Sequence, residues 1–85
     1  MTKSLQLRGP KKQSLRLTFA ANLRRERRAR ALSQEALALI AGLDRTFVGS
    51  VERGERNISI DNVEKLARAL QLPAAELMAT PCCPD

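Results

Sequence analysis

The sequence predicts an all-α domain of five short helices, and three observations predict it. Apolar residues make up 44% of the chain, yet there are only two Phe and no Tyr or Trp. A core built from Leu, Val, Ile and Ala suits packed helices. Helix-start residues recur at Ser33, Asp44 and Ser59, and glycines at positions 42 and 54 stand where two of the segments should stop. Ile60, Val63, Leu66, Ala67 and Leu70 repeat at helical spacing. With 85 residues, the chain has room for one small domain.

The expected organisation is a basic flexible arm over residues 1–15, a helical domain over 16–79 and a tail over 80–85. The arm has little periodicity and carries Gly9-Pro10 followed by Lys11-Lys12. It is either a solvated tail or an arm whose Arg8, Lys11 and Lys12 follow phosphates or enter a minor groove. A first helix is expected from about Arg16 to Arg30, with Leu17, Ala20 or Ala21, Leu23 and Arg27 near one stripe and Phe19 beside it. Arg24, Arg25, Arg27, Arg28 and Arg30 fill most of the remaining surface. Arg27 stands apart because it continues the inward spacing 19, 23, 27. A charge there needs a partner.

Ser33 caps the second helix, with Gln34, Glu35 and Ala36 in its first turn and Leu37, Ala38 and Ala41 facing inward. Gly42 suits a left-handed stop. Leu39 and Ile40 make this helix apolar nearly all round. Burial or partial burial is expected for them, the other reading being a partner surface. Asp44 can cap a third helix from Arg45 to about Arg53, stopped by Gly54. At about 100° per residue, Arg45, Thr46, Gly49, Ser50 and Arg53 fall within an arc of about 140°. Phe47, Val48 and Val51 fall opposite, and Glu52 lies at the border of the buried side. Glu52 is therefore the expected partner of Arg27, through a two-pronged guanidinium–carboxylate bond. After the polar loop Glu55-Arg56-Asn57, Ser59 caps a fourth helix whose apolar face is Ile60, Val63, Leu66, Ala67 and Leu70. Gln71-Leu72-Pro73 ends it, and Pro73 suits the first position of a last helix over 74–78.

Charge is unevenly placed. Residues 1–30 hold ten Lys or Arg against one acid, Glu26; the remainder holds five basic and eight acidic residues, for a net charge of +6. Such a distribution, with a pI near 10.4, suggests a polyanionic partner. Charge alone would also suit an anionic membrane surface, since Phe19 and Leu23 accompany the basic helix. The chain has no 18-residue apolar run and no apolar segment after its basic start, so neither a membrane span nor a signal peptide is expected. Cys82 and Cys83 are adjacent, a poor arrangement for pairing with each other, and are expected to be two reduced thiols in a cytoplasmic protein. A soft-metal role would lack two of the usual four ligands. Catalysis has no candidates: there is no His, no nucleophile beside a base and no glycine-rich phosphate loop. No enzyme activity, cofactor or metal is expected.

The third helix instead has the features of a groove reader. An α-helix fits the major groove of DNA, and residues near its N-terminal end reach base edges. Arg45 has the length and fork to take a guanine bidentately. Thr46 and Ser50 are short, and Gly49 would let the backbone approach a base, at a helix cost of about 0.5–1 kcal/mol relative to Ala. Gln34, Arg53, Arg56 and Asn57 flank that face and would hold phosphates or the groove edge.

The stretch from Leu32 to Leu70, LSQEALALIAGLDRTFVGSVERGERNISIDNVEKLARAL, resembles the lambda-repressor-like helix-turn-helix family (XRE type) of bacterial and phage transcription regulators. Within it, LDRTFVGSVERGERN is most similar to the controller proteins of restriction–modification systems. The resemblance spans about residues 19–78. Leu39-Ile40 departs from it, where polar or charged residues are usual. It implies five helices and a homodimer on a two-fold operator near a promoter. Arg45, Thr46, Gly49 and Ser50 would lie at the bases, Gln34 and Arg53 on phosphates, and Arg56 and Asn57 at the backbone or groove edge. An Arg27–Glu52 ion pair would be buried. RNA polymerase is a further candidate partner, and location in the bacterial cytoplasm, on the nucleoid, follows. The dimer surface is expected at the last helix and the segment before it, through Leu72, Leu77 and Met78. The alternative is an antitoxin that represses through the same fold and binds a protein toxin. If the arm touches phosphates, deleting residues 1–12 lowers the steepness with which DNA binding falls as salt rises; an unchanged steepness assigns the arm no contact.

Overall fold

The computed structural model describes residues 14–80, and these form five helices with no strand among the described residues. They are α1 (Leu15–Ala29), α2 (Gln34–Ala41), α3 (Arg45–Glu52), α4 (Ile60–Leu70) and α5 (Ala74–Met78). The predicted all-α class and element order therefore hold. Most of the 1–15 arm, and residues 81–85 with Cys82 and Cys83, lie outside the described residues.

Local signals start and stop the helices. The Ser33 hydroxyl accepts from the Ala36 amide, and the Ser59 hydroxyl from the Asn62 amide, satisfying an N–H that the helix itself leaves open. Ser14 does the same for α1 through the Leu17 amide, so that helix begins at Leu15 rather than Arg16. Gly42 (φ 75°) and Gly54 (φ 74°) end α2 and α3 in the left-handed region. At Gly54 a side chain would also strike Leu17, because an added Cβ would sit 2.5 Å from Leu17 Cδ2. Two details differ from expectation. Asp44 stands at the cap of α3, but its carboxylate makes no capping bond. Pro73 is the extended residue before α5 rather than its first helical residue, so its fixed φ serves the turn.

α1 packs on α3 and α5, α2 on α3 and α4, and α4 on α5. The core they enclose is Phe19, Leu23, Leu37, Ala38, Val48, Val51, Val63, Leu66, Ala67, Leu70 and Leu77. Several apolar residues expected inside are not. Leu39 is 81% and Ile40 57% exposed, because α2 has neighbours on only two sides and its third apolar strip has none. Ile60, the first residue of α4, is 74% exposed. Leu17 is also largely exposed, resting on Gly54 instead. Conversely, Asn22 is fully buried, with Nδ2 donating to the carbonyls of Leu77 (2.8 Å) and Ala79 (2.9 Å). It ties the end of the five-residue α5 to α1.

The inward charge of Arg27 meets Glu52 as its position requires. Nε donates to Oε2 at 2.6 Å and Nη2 to Oε1 at 2.9 Å, both groups being buried. The third arm, Nη1, donates to the Leu32 carbonyl at 2.7 Å. Glu52 Oε1 also accepts from Gln34 Nε2 at 3.0 Å, and Arg24 donates to the Glu52 carbonyl at 2.8 Å. Burial in itself pushes the Glu52 carboxyl up, but the hydrogen bonds from Arg27 and Gln34 and the charges of Arg27 and Arg24 outweigh it and hold the carboxyl below its ordinary value. The stabilisation from this lowered group is complete above the ordinary glutamate range and is lost as pH falls through the lower folded value. Glu52→Ala leaves the Arg27 guanidinium buried and unpaired and should cost about 3–5 kcal/mol, read as a lower melting temperature. Glu52→Gln should flatten the acid limb of the melting-temperature profile relative to the wild type. That difference isolates Glu52 from Glu26, which the Arg30 hydrogen bond also holds low. An acid limb unchanged in the variant would remove the pair from the account of stability.

Candidate nucleic-acid interface

The start of α2 and the outer face of α3 meet in an open recess of about 220 Å³ lined by Gln34, Arg45, Thr46, Gly49 and Arg53. The geometry follows from the short turn between the helices. After Gly42, the Leu43 amide returns to the Ala38 carbonyl at 2.8 Å, and α3 leaves at once from Asp44. Val48 and Val51 pin α3 to the core, which leaves Arg45 and Thr46 exposed at its first turn. Arg45 makes no hydrogen bond or ion pair among the described residues, so its guanidinium is available to a ligand. Gln34 is aimed by the core: its amide nitrogen is held on Glu52, which places its oxygen over Gly49. Arg53, at the end of α3, pairs with Glu55 at 3.1 Å. Both side chains are more than half exposed, so solvent and salt screen the pair and the guanidinium can exchange partners.

The structure brings together five of the eight candidate contact residues in this recess and places the other three beside it. It also corrects the even, open face expected of α3. Gly49 is buried: an added Cβ would sit 3.3 Å from Gln34 Oε1 and 3.4 Å from Arg53 Nη1, so two side chains roof it. Ser50 is only 8% exposed, because its hydroxyl donates back to the Phe47 carbonyl at 2.9 Å and accepts from Arg56 Nε at 3.1 Å. Phe47 is half-buried rather than a full core residue, and the Arg56 guanidinium lies over its ring, 5.3 Å from the centroid. Asn57 accepts from Arg16 Nη1 at 2.9 Å. Arg16 was not among the sequence candidates; it brings a further cation to the edge of the site, and its adjacency to the basic arm was the available signal. Four arginines, at positions 16, 45, 53 and 56, thus border one side of the molecule, and only Arg53 has a carboxylate partner among the described residues. Nothing in the arrangement can do acid–base or nucleophilic chemistry, and no cluster of metal-ligating side chains occurs among the described residues.

Two helices at a short glycine turn, the second anchored by valines and fronted by exposed arginines, define a helix-turn-helix DNA-binding protein. The chain belongs to that family: the helix-turn-helix family model (HTH_3) matches residues 23–77. Among curated relatives, the control protein C.SmaI of Serratia marcescens is 48% identical over 60 residues, covering 71% of each chain. Among solved structures, the restriction–modification controller protein C.AhdI of Aeromonas hydrophila is 52% identical with a TM-score of 0.72, over 73% of this chain and 94% of its own. A hypothetical transcription factor from Neisseria is 42% identical with a TM-score of 0.80, over 94% of this chain and 92% of its own. The chain is a DNA-binding regulator similar to restriction–modification controller proteins, and the relatives are regulators rather than enzymes.

Gly49→Ala separates the two uses of this glycine. Alanine improves helix propensity by about 0.5–1 kcal/mol, and the atoms it meets, at 3.3 and 3.4 Å, are side-chain ends rather than backbone. Melting temperature should therefore hold or rise while DNA affinity falls, because Gln34 and Arg53 are displaced. Unchanged affinity would show that the roof over Gly49 takes no part in binding.

Proposed function

We propose that this protein binds a two-fold DNA operator as a homodimer and regulates its own promoter as a restriction–modification controller. The observation that carries the reading is the exposed, unpartnered Arg45 above a recess whose walls, Gln34 and Arg53, suit phosphates. In this reading α3 enters the major groove, Arg45 takes a guanine edge and Thr46 contacts a neighbouring base. Gly49, under its roof, lets the helix lie close once Gln34 and Arg53 turn to the backbone. Arg56 and Asn57 follow the groove edge. Ser50, the fourth candidate base reader, is buried.

One reading helix covers few base pairs, and a dyad that sets two of them about 34 Å apart multiplies the specificity. Of the three residues expected at the dimer surface, Leu77 is fully buried in the core and cannot contribute. Besides the Leu39–Ile40 strip, exposed apolar surface lies around Leu15 and Ile60, beside a recess of about 300 Å³ whose apolar lining includes Phe19, Ile58, Val63 and Met78, with Arg16 and Asn57 at its polar side. A second copy is the occupant this reading assigns to it, and Met78 is common to both versions. RNA polymerase is a candidate partner of the DNA-bound dimer. None of the described helices is long and apolar enough to cross a membrane, which fits a regulator working on the nucleoid in the cytoplasm. No observation favours the antitoxin reading.

Selecting preferred duplexes from random DNA should return a palindrome. On that duplex Arg45→Ala should cost about 1–3 kcal/mol and relax preference at one base pair. Equal weakening on random DNA would demote Arg45 to a phosphate contact. Sedimentation of Ile60→Arg should show monomer at concentrations where the wild type is a dimer, and an unchanged dimer would move the interface elsewhere.

A further inference from the structure

The loop that follows α3 holds one guanidinium with unusual care. Arg56 is exposed, yet it has two contacts of different kind. Its Nε donates to Ser50 Oγ at 3.1 Å, and its Cζ lies over the Phe47 ring, 5.3 Å from the centroid. A free arginine side chain loses much rotamer entropy when it is held. Here the ring contact and the Nε bond restrain the group at two points. Neither Nη group has an acceptor among the described residues, and no carboxylate pairs with Arg56. The guanidinium is therefore placed, and the fork it would offer an anion is open.

Ser50 has the complementary chemistry. Its hydroxyl proton is spent on the Phe47 carbonyl at 2.9 Å, and one of its two lone pairs on Arg56. No donor remains to present to a base edge, and the residue is nearly closed to solvent. Phe47, Ser50 and Arg56 thus make one unit that spans the outer helix and the loop behind it.

We propose that Ser50 and Phe47 are positioning residues that hold the Arg56 guanidinium ready for one backbone phosphate of a DNA duplex, and that Ser50 does not read a base. The inference deepens the function proposed above and rests on it. Phosphate is the chemistry favoured because a planar fork matches two oxygens of a phosphate, and because Arg56 belongs to the loop after α3 rather than to the helix itself. Arg16, bonded to the adjacent Asn57, adds a second cation at the same edge.

The test uses the full chain and has one arm without DNA and one with it. In the free protein, exchange of the Arg56 Nε proton with water is followed by nitrogen-15 NMR. Ser50→Ala should speed it, and Phe47→Leu should do so while keeping the apolar contact below. No change in either variant overturns the positioning of Arg56 by Ser50 and Phe47, whatever the protein does with DNA. In the second arm, binding to a random-sequence duplex and to the preferred duplex is measured across salt. Arg56→Ala should lower the slope of log K against log salt by about 1 on both. Ser50→Ala should weaken both duplexes alike, about three- to tenfold, the scale of one hydrogen bond. In the Arg56→Ala background that loss should vanish. A Ser50→Ala loss that persists there, or is confined to one base pair of the preferred duplex, overturns the proposal and makes Ser50 a base reader. A chain with a protected Arg56 proton but no preferred duplex instead counts against the operator reading, and the random duplex still decides the phosphate contact.

Discussion

The buried bond between Arg27 and Glu52 is the interaction on which the rest of this structure depends. It joins three elements at one point. Arg27 comes from the last turn of α1, Glu52 is the last residue of α3, and the spare arm of Arg27 holds the Leu32 carbonyl just before α2. Removing one partner would leave the other charged and dry, which is far costlier than the net worth of the pair when made. The bond acts as a fixed constraint: α2 and α3 can take only the relation that satisfies both ions.

That constraint reaches the surface through Gln34. The same carboxylate oxygen that accepts from Arg27 Nη2 accepts from the Gln34 amide. The Gln34 oxygen consequently stands over Gly49, between the first turn of α2 and the outer face of α3. A side chain expected to meet a phosphate is thus aimed by the core, not by a loop. The same economy recurs at the far end of α3, where Phe47 and Ser50 both serve Arg56. Side chains of one helix turn are divided between holding the helix and holding a cation. Arg45, by contrast, is restrained by nothing among the described residues.

Where the helices begin and end was legible from single residues. Ser33 and Ser59 cap, and Gly42 and Gly54 stop, because these requirements are local: an open N–H near a hydroxyl, or a φ that only glycine adopts cheaply. Arg27 and Glu52 were legible for a different reason. Each is a charge at a position whose spacing points inward, and such a charge has few options. Ser50 and Gly49 were misread as open because a helical wheel shows which side of its own helix a residue occupies, and nothing of what another element lays over it. Gln34 and Arg53 cover one and Arg56 engages the other. Ile60, Leu39 and Ile40 failed in the opposite sense: their spacing is that of buried residues, but no neighbour arrives to bury them.

By itself the sequence determined the all-α class, the five elements and their order, and the cationic character of the candidate interface. All of these rest on local propensity, composition or charge. Only the tertiary structure decided which apolar residues are covered, that Leu77 belongs to the core rather than to a dimer surface, and that Arg16 and Arg56 stand with Asn57 at one edge of the site. The physical reason is that burial and hydrogen-bond partnership across elements depend on the angle at which two helices meet. That angle is set by residues as far apart as Arg27 and Glu52, and no window along the chain contains it.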